Sequence, residues 1–316
     1  MDNTITYSEI FHSIQGEGHY TGVPTAWVRF FLCNLNCDGF GQKDPKDPST
    51  YDLPYKEVNL SGIKKLEDLP VFERGCDSSY SWSKRFKHLQ YKDTPRNIAE
   101  KLRDTLMSGW NPGGFFTYDG KKQHLCFTGG EPLLPRNQRA IIAILNELFA
   151  MQPEYSSFNV STFPEFVTFE TNGTQRLTSD FEDSLNEYQE EGIEFFFSVS
   201  PKLFSVSGEK RERAIKPDIV SRYFSFGETR DFPWFPATGQ FKFVMNEKEE
   251  CWDEMEDVLS LYRTYGIDYP VWIMPVGATE ESQKDIAGEV ATKALQRGYN
   301  VSARVHTYLW GNKIGT

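Results

Sequence analysis

The sequence predicts an α/β fold built on a parallel sheet with helical crossovers. Two observations carry this. Short runs rich in β-branched and aromatic residues alternate with amphipathic stretches at helical spacing. Several of the apolar runs end in small groups of Gly, Ser, Glu or Asn, where the ligand sites of such folds gather. The length, 316 residues, suits one large domain or two small ones, and the chain is read as a single domain over 1–316.

The first strand is read at TAWVRFFLC, residues 25–33, preceded by the glycine-rich loop QGEGHYTGVP. After Cys37 the texture turns to Gly, Pro, Asp and Lys and reads as irregular structure. Residues 93–109 predict a helix, with Thr94 as cap, Pro95 in the first turn, and Ile98, Leu102 and Leu106 along one face. HLCFTGG is a buried strand running into a glycine turn, and residues 136–150 a helix presenting Ile141, Ile144, Leu145 and Leu148. VTFETNG, EFFFSVSPK, GQFKFVMN and VWIMPVG read as further strands. Two helices accompany the last of these, one ending at Gly266 and one at Gly298, and VSARVHTYLWG closes the chain as a strand-like tail.

The net charge of −11 sets the surface against a phosphate backbone, so no nucleic-acid partner is expected. No apolar run is long enough to span a bilayer, and the N-terminal residues carry no secretory pattern. A cytoplasmic enzyme without membrane contact is the expectation.

The five cysteines are Cys33, Cys37, Cys76, Cys126 and Cys251. In a long chain without an export signal they point to metal ligation or plain burial rather than disulfides. Cys33 and Cys37 form a C-x3-C just past a strand, with Cys76 as the third candidate. Thiolates gathered on one loop suit an iron–sulfur cluster or zinc. By itself the pair also fits a structural or incidental role. Zinc would want a fourth ligand, for which His12 and His88 are nearest in sequence. Cys126 reads as a packed thiol in a strand and Cys251 as a surface thiol at a helix start.

Other motifs have two readings each. Thr128-Gly129-Gly130-Glu131-Pro132 is either a ligand loop with close backbone approach or a turn with Glu131 near a helix N-terminus. Ser200-Pro201-Lys202 offers hydroxyl and ammonium donors to a carboxylate, or is a simple turn. Glu170, in Glu170-Thr171-Asn172-Gly173, closes a strand that runs into a polar turn. Arg29 lies four residues before Cys33, and strand alternation places it on the same face. A buried Arg needs an anion, either a ligand or an acidic neighbour. His306 reads as a site candidate or as a structural histidine.

The motif Cys76-Asp77-Ser78-Ser79-Tyr80-Ser81-Trp82 gives these pieces an order. Together with SIQGEG, FTGGEPLL, FETNG, SPK and a terminal HxxLWGNxxGT, it resembles the radical S-adenosylmethionine superfamily. Within that superfamily it is similar to the 7-carboxy-7-deazaguanine synthases, nearly end to end. The resemblance implies a modified, partial (β/α) barrel with a [4Fe–4S] cluster on Cys33, Cys37 and Cys76, which makes residues 38–75 an insertion in the cluster loop. It implies S-adenosylmethionine contacts at Gly129, Gly130, Glu131, Glu170, Ser200, Pro201 and Lys202, and at Met274, Pro275, Val276 and Gly277, where only the proline matches the family's Gln-Pro-Met-Asp. It implies substrate contacts at Ile14, Gln15, Gly16, Glu17, Arg29, Thr128, His306 and the carboxylate of Thr316, and Mg²⁺ at Ser78, which replaces a family threonine.

The implied reaction is ring contraction of 6-carboxy-5,6,7,8-tetrahydropterin to 7-carboxy-7-deazaguanine with loss of ammonia, as in queuosine-type biosynthesis. The cofactors carry it, so no side chain is needed as a general base. A flavodoxin-like reductant and a homodimer are implied partners. The rivals are another radical enzyme on the same scaffold, such as a glycyl-radical activase, and a non-enzymatic zinc-stabilised binding protein.

Residues 38–75 carry Tyr51, Leu53, Tyr55, Val58, Leu60, Ile63, Leu66, Leu69, Val71 and Phe72, too much apolar content for a disordered linker. An ordered flap near the site is expected, with at most a short helix in SGIKKLEDLP. The competing reading is a surface decoration remote from the site.

Overall fold

The computed structural model describes residues 4–118, 120, 123–152, 163–226 and 238–315. They form a mixed α/β structure around one nine-stranded sheet, with strand order β3-β1-β2-β4-β5-β6-β7-β8-β9. The strands are β1 (Ile5–Ile14), β2 (Pro24–Phe30), β3 (Tyr91–Asp93), β4 (His124–Gly129), β5 (Phe166–Thr171), β6 (Glu194–Val199), β7 (Gly239–Met245), β8 (Val271–Pro275) and β9 (Asn300–Val301). β1 pairs antiparallel with β2 and β3, and every pairing from β2 to β9 is parallel.

The helices follow the sequence signals closely where those signals are caps. Those longer than four residues, among the described residues, are α1 (Pro95–Leu106), α2 (Pro135–Ala150), α3 (Ser179–Glu190), α4 (Pro217–Ser225), α5 (Glu249–Thr264), α6 (Glu280–Gln296) and α7 (Val305–Trp310). Thr94 caps α1 by accepting the Asn97 N–H at 3.2 Å, with Pro95 at the first helical position. No helix among the described residues is long and apolar enough to cross a membrane.

Period-two alternation divides the sheet into two chemically different faces. Phe30, Phe127, Phe169 and Phe197, one from each of β2, β4, β5 and β6, stack across neighbouring strands with ring centroids 5.9, 6.2 and 5.1 Å apart. They belong to the main core beneath α1, α2 and α3 with Ile98, Leu102, Ile144 and Phe181. The intervening residues Arg29, Thr128, Glu170 and Lys242 point away from that core and line a cavity.

Four readings of the sequence are corrected. β1 was not anticipated, because Ser8, Glu9, His12 and Ser13 interrupt its apolar pattern. Glu9 faces the cavity, so the strand is polar on its functional side. β2 stops at Phe30 rather than continuing to Cys33, since Leu32 takes a positive φ of 89° and gives its N–H to Ser81 O at 2.8 Å. Strand alternation therefore does not relate Arg29 to Cys33. The tail read as a strand is β9 followed by helix α7, closed by Gly311 at φ 70°. Cys251 is fully buried, with its thiol directed to Ser205 O at 3.7 Å, and is not a surface thiol.

Residues 38–75 are ordered. Gly75 donates its N–H to Phe40 O at 2.8 Å and so closes the segment at its base. Leu53, Tyr55, Leu66, Leu69 and Phe72 form a separate small core with Tyr80, Phe86 and Leu89. Helical structure in SGIKKLEDLP is limited to one 3-10 turn, Leu66–Asp68. We expect Phe72→Ala, which empties the centre of this small core, to cost about 3–5 kcal/mol locally. Limited proteolysis should then cut within 38–75 while the main sheet stays intact.

Candidate active site

A cavity of about 740 Å³ opens over the polar face of the sheet, at the carboxyl ends of the parallel strands. It gathers Cys33 and Cys37 from one loop and Cys76 from beyond the segment 38–75. The C-x3-C loop is held by Glu209, a buried carboxylate that accepts the N–H groups of Asn36 at 2.7 Å and Cys37 at 2.9 Å. That clamp lets Cys37 keep a positive φ of 54°. Cys33 Sγ accepts the Leu35 N–H at 3.4 Å and an Asn172 side-chain N–H at 3.8 Å.

Burial pushes the Cys33 thiol up to about 12, with the Glu131 carboxylate adding to the shift. Burial raises Cys76 to about 11 and Cys37 well above the usual thiol value. Three thiolates could share this wall only if a cation replaced their protons. Among the described residues no three His, Cys, Asp or Glu side chains stand close enough to hold one metal ion. Soft thiolates lining one cavity suit an iron–sulfur cluster or zinc.

The loop after β4 serves the chain before it serves any ligand. A Cβ on Gly130 would meet Leu32 O at 2.4 Å and Cys33 Cβ at 2.7 Å, and one on Gly129 would meet Phe30 O at 2.6 Å. The two glycines let this loop lie against the end of β2 and the Cys33 turn, while both also line the cavity. Glu131 is wholly buried behind the wall. Its carboxylate accepts Leu133 N–H at 2.9 Å, Thr171 O–H at 2.7 Å and Asn172 N–H at 2.8 Å. It latches the β4 loop to the β5 loop. Burial lifts it to about 7 against the pull of those donors.

A chain of buried charges crosses the floor. Lys242, on β7, bridges Glu170 at 2.8 Å and Glu17 at 2.7 Å. Arg304 joins Glu17 at 2.9 Å to Asp77 at 2.7 Å. Burial alone would raise the Glu17 carboxyl, yet Lys242 and Arg304 hold it well below the carboxylate range. Gln15 donates to Glu170 at 3.0 Å. On the β1–β2 side Arg29 pairs with Glu9 at 2.5 Å, and Tyr80 donates to the same carboxylate oxygen at 2.8 Å. Arg29 thus has an acidic neighbour and also faces the cavity.

Of the residues expected from sequence, Ile14, Gln15, Gly16, Glu17, Arg29, Ser78, Thr128, Gly129, Gly130, Glu170, Ser200, Lys202, Met274, Pro275, Val276, Gly277 and His306 line the cavity with the three cysteines. Glu131 and Pro201 do not. Lys202 donates to Ser200 Oγ at 2.7 Å. His306 packs against Gly16, where a Cβ would meet its Nδ1 at 2.0 Å, and burial lowers the ring to about 4, so it is neutral near pH 7. Thr316 lies outside the described residues. Ser78 donates to Asp77 at 3.3 Å, and the far oxygen of Asp77 is taken by Arg304. Glu9, Trp27, Lys242 and Arg304 were not anticipated. A lysine inside the buried run GQFKFVMN was the one available signal.

No family model matches the chain. The chain is similar along its length to curated 7-carboxy-7-deazaguanine synthases. The protein of that name from Leptospira interrogans is 24% identical over 317 residues, covering 100% of both chains. That from Halobacterium salinarum is 26% identical over 322 residues, covering 96% of this chain and 90% of its own. With the one from Archaeoglobus fulgidus a short stretch of 29 residues is 69% identical, 9% of this chain and 13% of that one. Among solved structures, the crystal structure of QueE from Escherichia coli aligns with a TM-score of 0.48 at 15% identity, covering 96% of this chain and 95% of that one.

Two outcomes follow from the charges. Lys242→Met strands Glu170 without its cation and leaves Glu17 with Arg304 alone, and removing one partner of a buried pair costs about 3–5 kcal/mol. Urea unfolding should show this loss, and adding Glu170→Gln should recover part of it. Glu131 has a folded pKa above its unfolded value, so the folded state binds the extra proton and its contribution worsens as pH rises from about 4.5 to about 7. Glu131→Gln does not titrate there. Its stability relative to the parent metal-free protein should improve across that window, whatever its absolute level.

Proposed function

We propose that this chain is a radical S-adenosylmethionine lyase that converts 6-carboxy-5,6,7,8-tetrahydropterin to 7-carboxy-7-deazaguanine with loss of ammonia. One observation carries the reading: three thiols, Cys37 buried and Cys33 and Cys76 half-buried, share a single cavity with a paired floor of Lys, Arg and Glu, in a chain collinear with 7-carboxy-7-deazaguanine synthases. Cys33, Cys37 and Cys76 would hold a [4Fe–4S] cluster and leave one iron open. With S-adenosylmethionine bound there, the cluster supplies one-electron cleavage chemistry that no side chain can.

The chain's own part is to bind, orient and exclude water. Ser200 and Lys202 offer a hydroxyl and an ammonium to the cofactor carboxylate, and Glu170 an acceptor for its ribose. Arg29, Lys242 and Arg304 offer fixed cationic donors to a carboxylated pterin, each held in place by its pairing with Glu9, Glu17, Glu170 or Asp77. Ser78 and Asp77 supply hard oxygens for Mg²⁺, which would compete with Arg304 for Asp77. The same reading takes the sheet as a partial (β/α) barrel, residues 38–75 as an insertion in the cluster loop, and the enzyme as a cytoplasmic homodimer served by a flavodoxin-like reductant.

The test is anaerobic reconstitution with iron and sulfide, then mass spectrometry of the product formed from the pterin, S-adenosylmethionine and a reductant. A brown protein with sulfur-to-iron absorbance and the ring-contracted product is expected. A colourless protein with stoichiometric zinc overturns the reading. Cys33→Ala, Cys37→Ala and Cys76→Ala should each lose the cluster, whereas Cys126→Ala and Cys251→Ala keep it. Loss of iron in Cys251→Ala with retention in Cys76→Ala refutes the ligand set. Ser78→Ala should raise the Mg²⁺ requirement and Ser78→Thr should not. Full activity of Ser78→Ala in chelated buffer removes Ser78 from the site.

A further inference from the structure

The loop that carries Cys33 and Cys37 is held from behind, by a stretch of chain outside the cavity wall. Glu209 does not line the cavity, yet one oxygen of its carboxylate takes the N–H groups of both Asn36 and Cys37. Arg213, in the short helical turn Arg211–Ala214, donates to Asn34 O at 2.8 Å and approaches the other Glu209 oxygen at 3.5 Å. Gly39 gives its N–H to Ser207 O at 3.0 Å, and a Cβ on Gly39 would meet the Ser207 carbonyl carbon at 2.6 Å. The two stretches of backbone are therefore in contact. Glu209 N–H donates to Ser207 Oγ at 3.2 Å, which fixes the carboxylate's own base.

The two charges of this clamp are not equally placed. The Glu209 side chain is 6% exposed and that of Arg213 is 55% exposed. Solvent screens the guanidinium far more than the carboxylate, so the pair leaves a net negative charge behind the loop. The clamp also decides where two donors go. Glu209 takes the Asn36 and Cys37 N–H groups and so withholds them from any sulfur, whereas Cys33 Sγ keeps its donors from Leu35 and Asn172. A side-chain amide oxygen would accept the same two N–H groups. What a glutamate adds at this position is its charge.

We propose that Glu209 is a positioning residue that fixes the C-x3-C loop and lowers the reduction potential of the cluster held there. This rests on the cluster reading above. Net charge and hydrogen bonds to the sulfurs both set the potential of an iron–sulfur centre. An added electron places more negative charge beside a buried carboxylate, where little water intervenes. Two amides that would stabilise that charge are turned away from it. Both effects favour the oxidised form and make the reduced cluster a stronger reductant, as one-electron cleavage of a sulfonium requires.

The experiment is a redox titration of the reconstituted enzyme followed by electron paramagnetic resonance. Glu209→Gln keeps an oxygen for both N–H groups and removes the charge. It should shift the one-electron equilibrium toward the reduced cluster about tenfold, or about 59 mV more positive, with iron content unchanged. Arg213→Gln removes the opposing cation and should move the potential the other way. A loop that is merely loosened has no reason to respond in opposite senses. In the metal-free protein, Glu209→Ala should speed hydrogen exchange at the Asn36 and Cys37 amides about tenfold, and Glu209→Gln should restore the parent's rate. Unchanged exchange in Glu209→Ala overturns the positioning role. A potential in Glu209→Gln at or below the parent's, with four irons in place, overturns the tuning. Should that variant hold no cluster, a potential in Arg213→Gln at or above the parent's does so. If the parent itself assembles no four-iron cluster, iron and sulfide analysis shows it, and the cluster reading fails along with this one.

Discussion

The structure depends on keeping charge buried in balance. Lys242 stands in the middle of a sheet, surrounded on its own strand by Phe241 and Phe243, and it is tolerated there because Glu17 and Glu170 meet it from two different segments. Glu17 in turn needs Arg304, and Arg304 needs Asp77. Desolvating any one of these ions alone costs several kcal/mol, so each fixes the position of the next. The result joins the first loop, two central strands, the cysteine-bearing segment and the C-terminal residues without a covalent link. Arg304 and Glu17 are 287 positions apart in the chain.

This balance explains why the cavity stays open over the face of a well-packed sheet. The phenylalanine stack on the opposite face gives the sheet its adhesion to the helices and leaves the polar face free of any packing duty. Glu131 performs the matching task at the rim. By taking three donors from two loops it holds the Gly129–Gly130 backbone against the turn that carries Cys33. The glycines there answer to chain-on-chain contact, and the surface left for a ligand is a consequence.

The segment 38–75 shows how a long irregular stretch is made rigid. Its apolar side chains build their own core with Tyr80, Phe86 and Leu89, from the sequence just past the third cysteine. Ile314 packs on that core from the chain's far end. Glu67, Leu69, Pro70, Val71, Glu73 and Gly75 reach the cavity wall. The segment is thus part of the site's enclosure, which its composition alone left open against a remote surface role.

By itself the sequence determined the α/β class, the helix start at Thr94–Pro95 and the helix over 136–150, because caps and periodicity are local properties, and the ordered run of short motifs grouped most cavity residues through their resemblance to a family. Cys33, Cys37 and Cys76 were legible as a set through the residues that follow the last of them. The tertiary structure alone decided that Glu131 and Cys251 turn inward and that β2 ends before the cysteine loop. It alone decided that Lys242, Arg304, Glu9 and Glu209 belong with the site. Those residues have no local signature, since a charge is readable as functional only when its counter-charge is known. Each of those counter-charges, Glu17 and Glu170, Asp77, Arg29, and the N–H pair of Asn36 and Cys37, lies on a different segment of the chain.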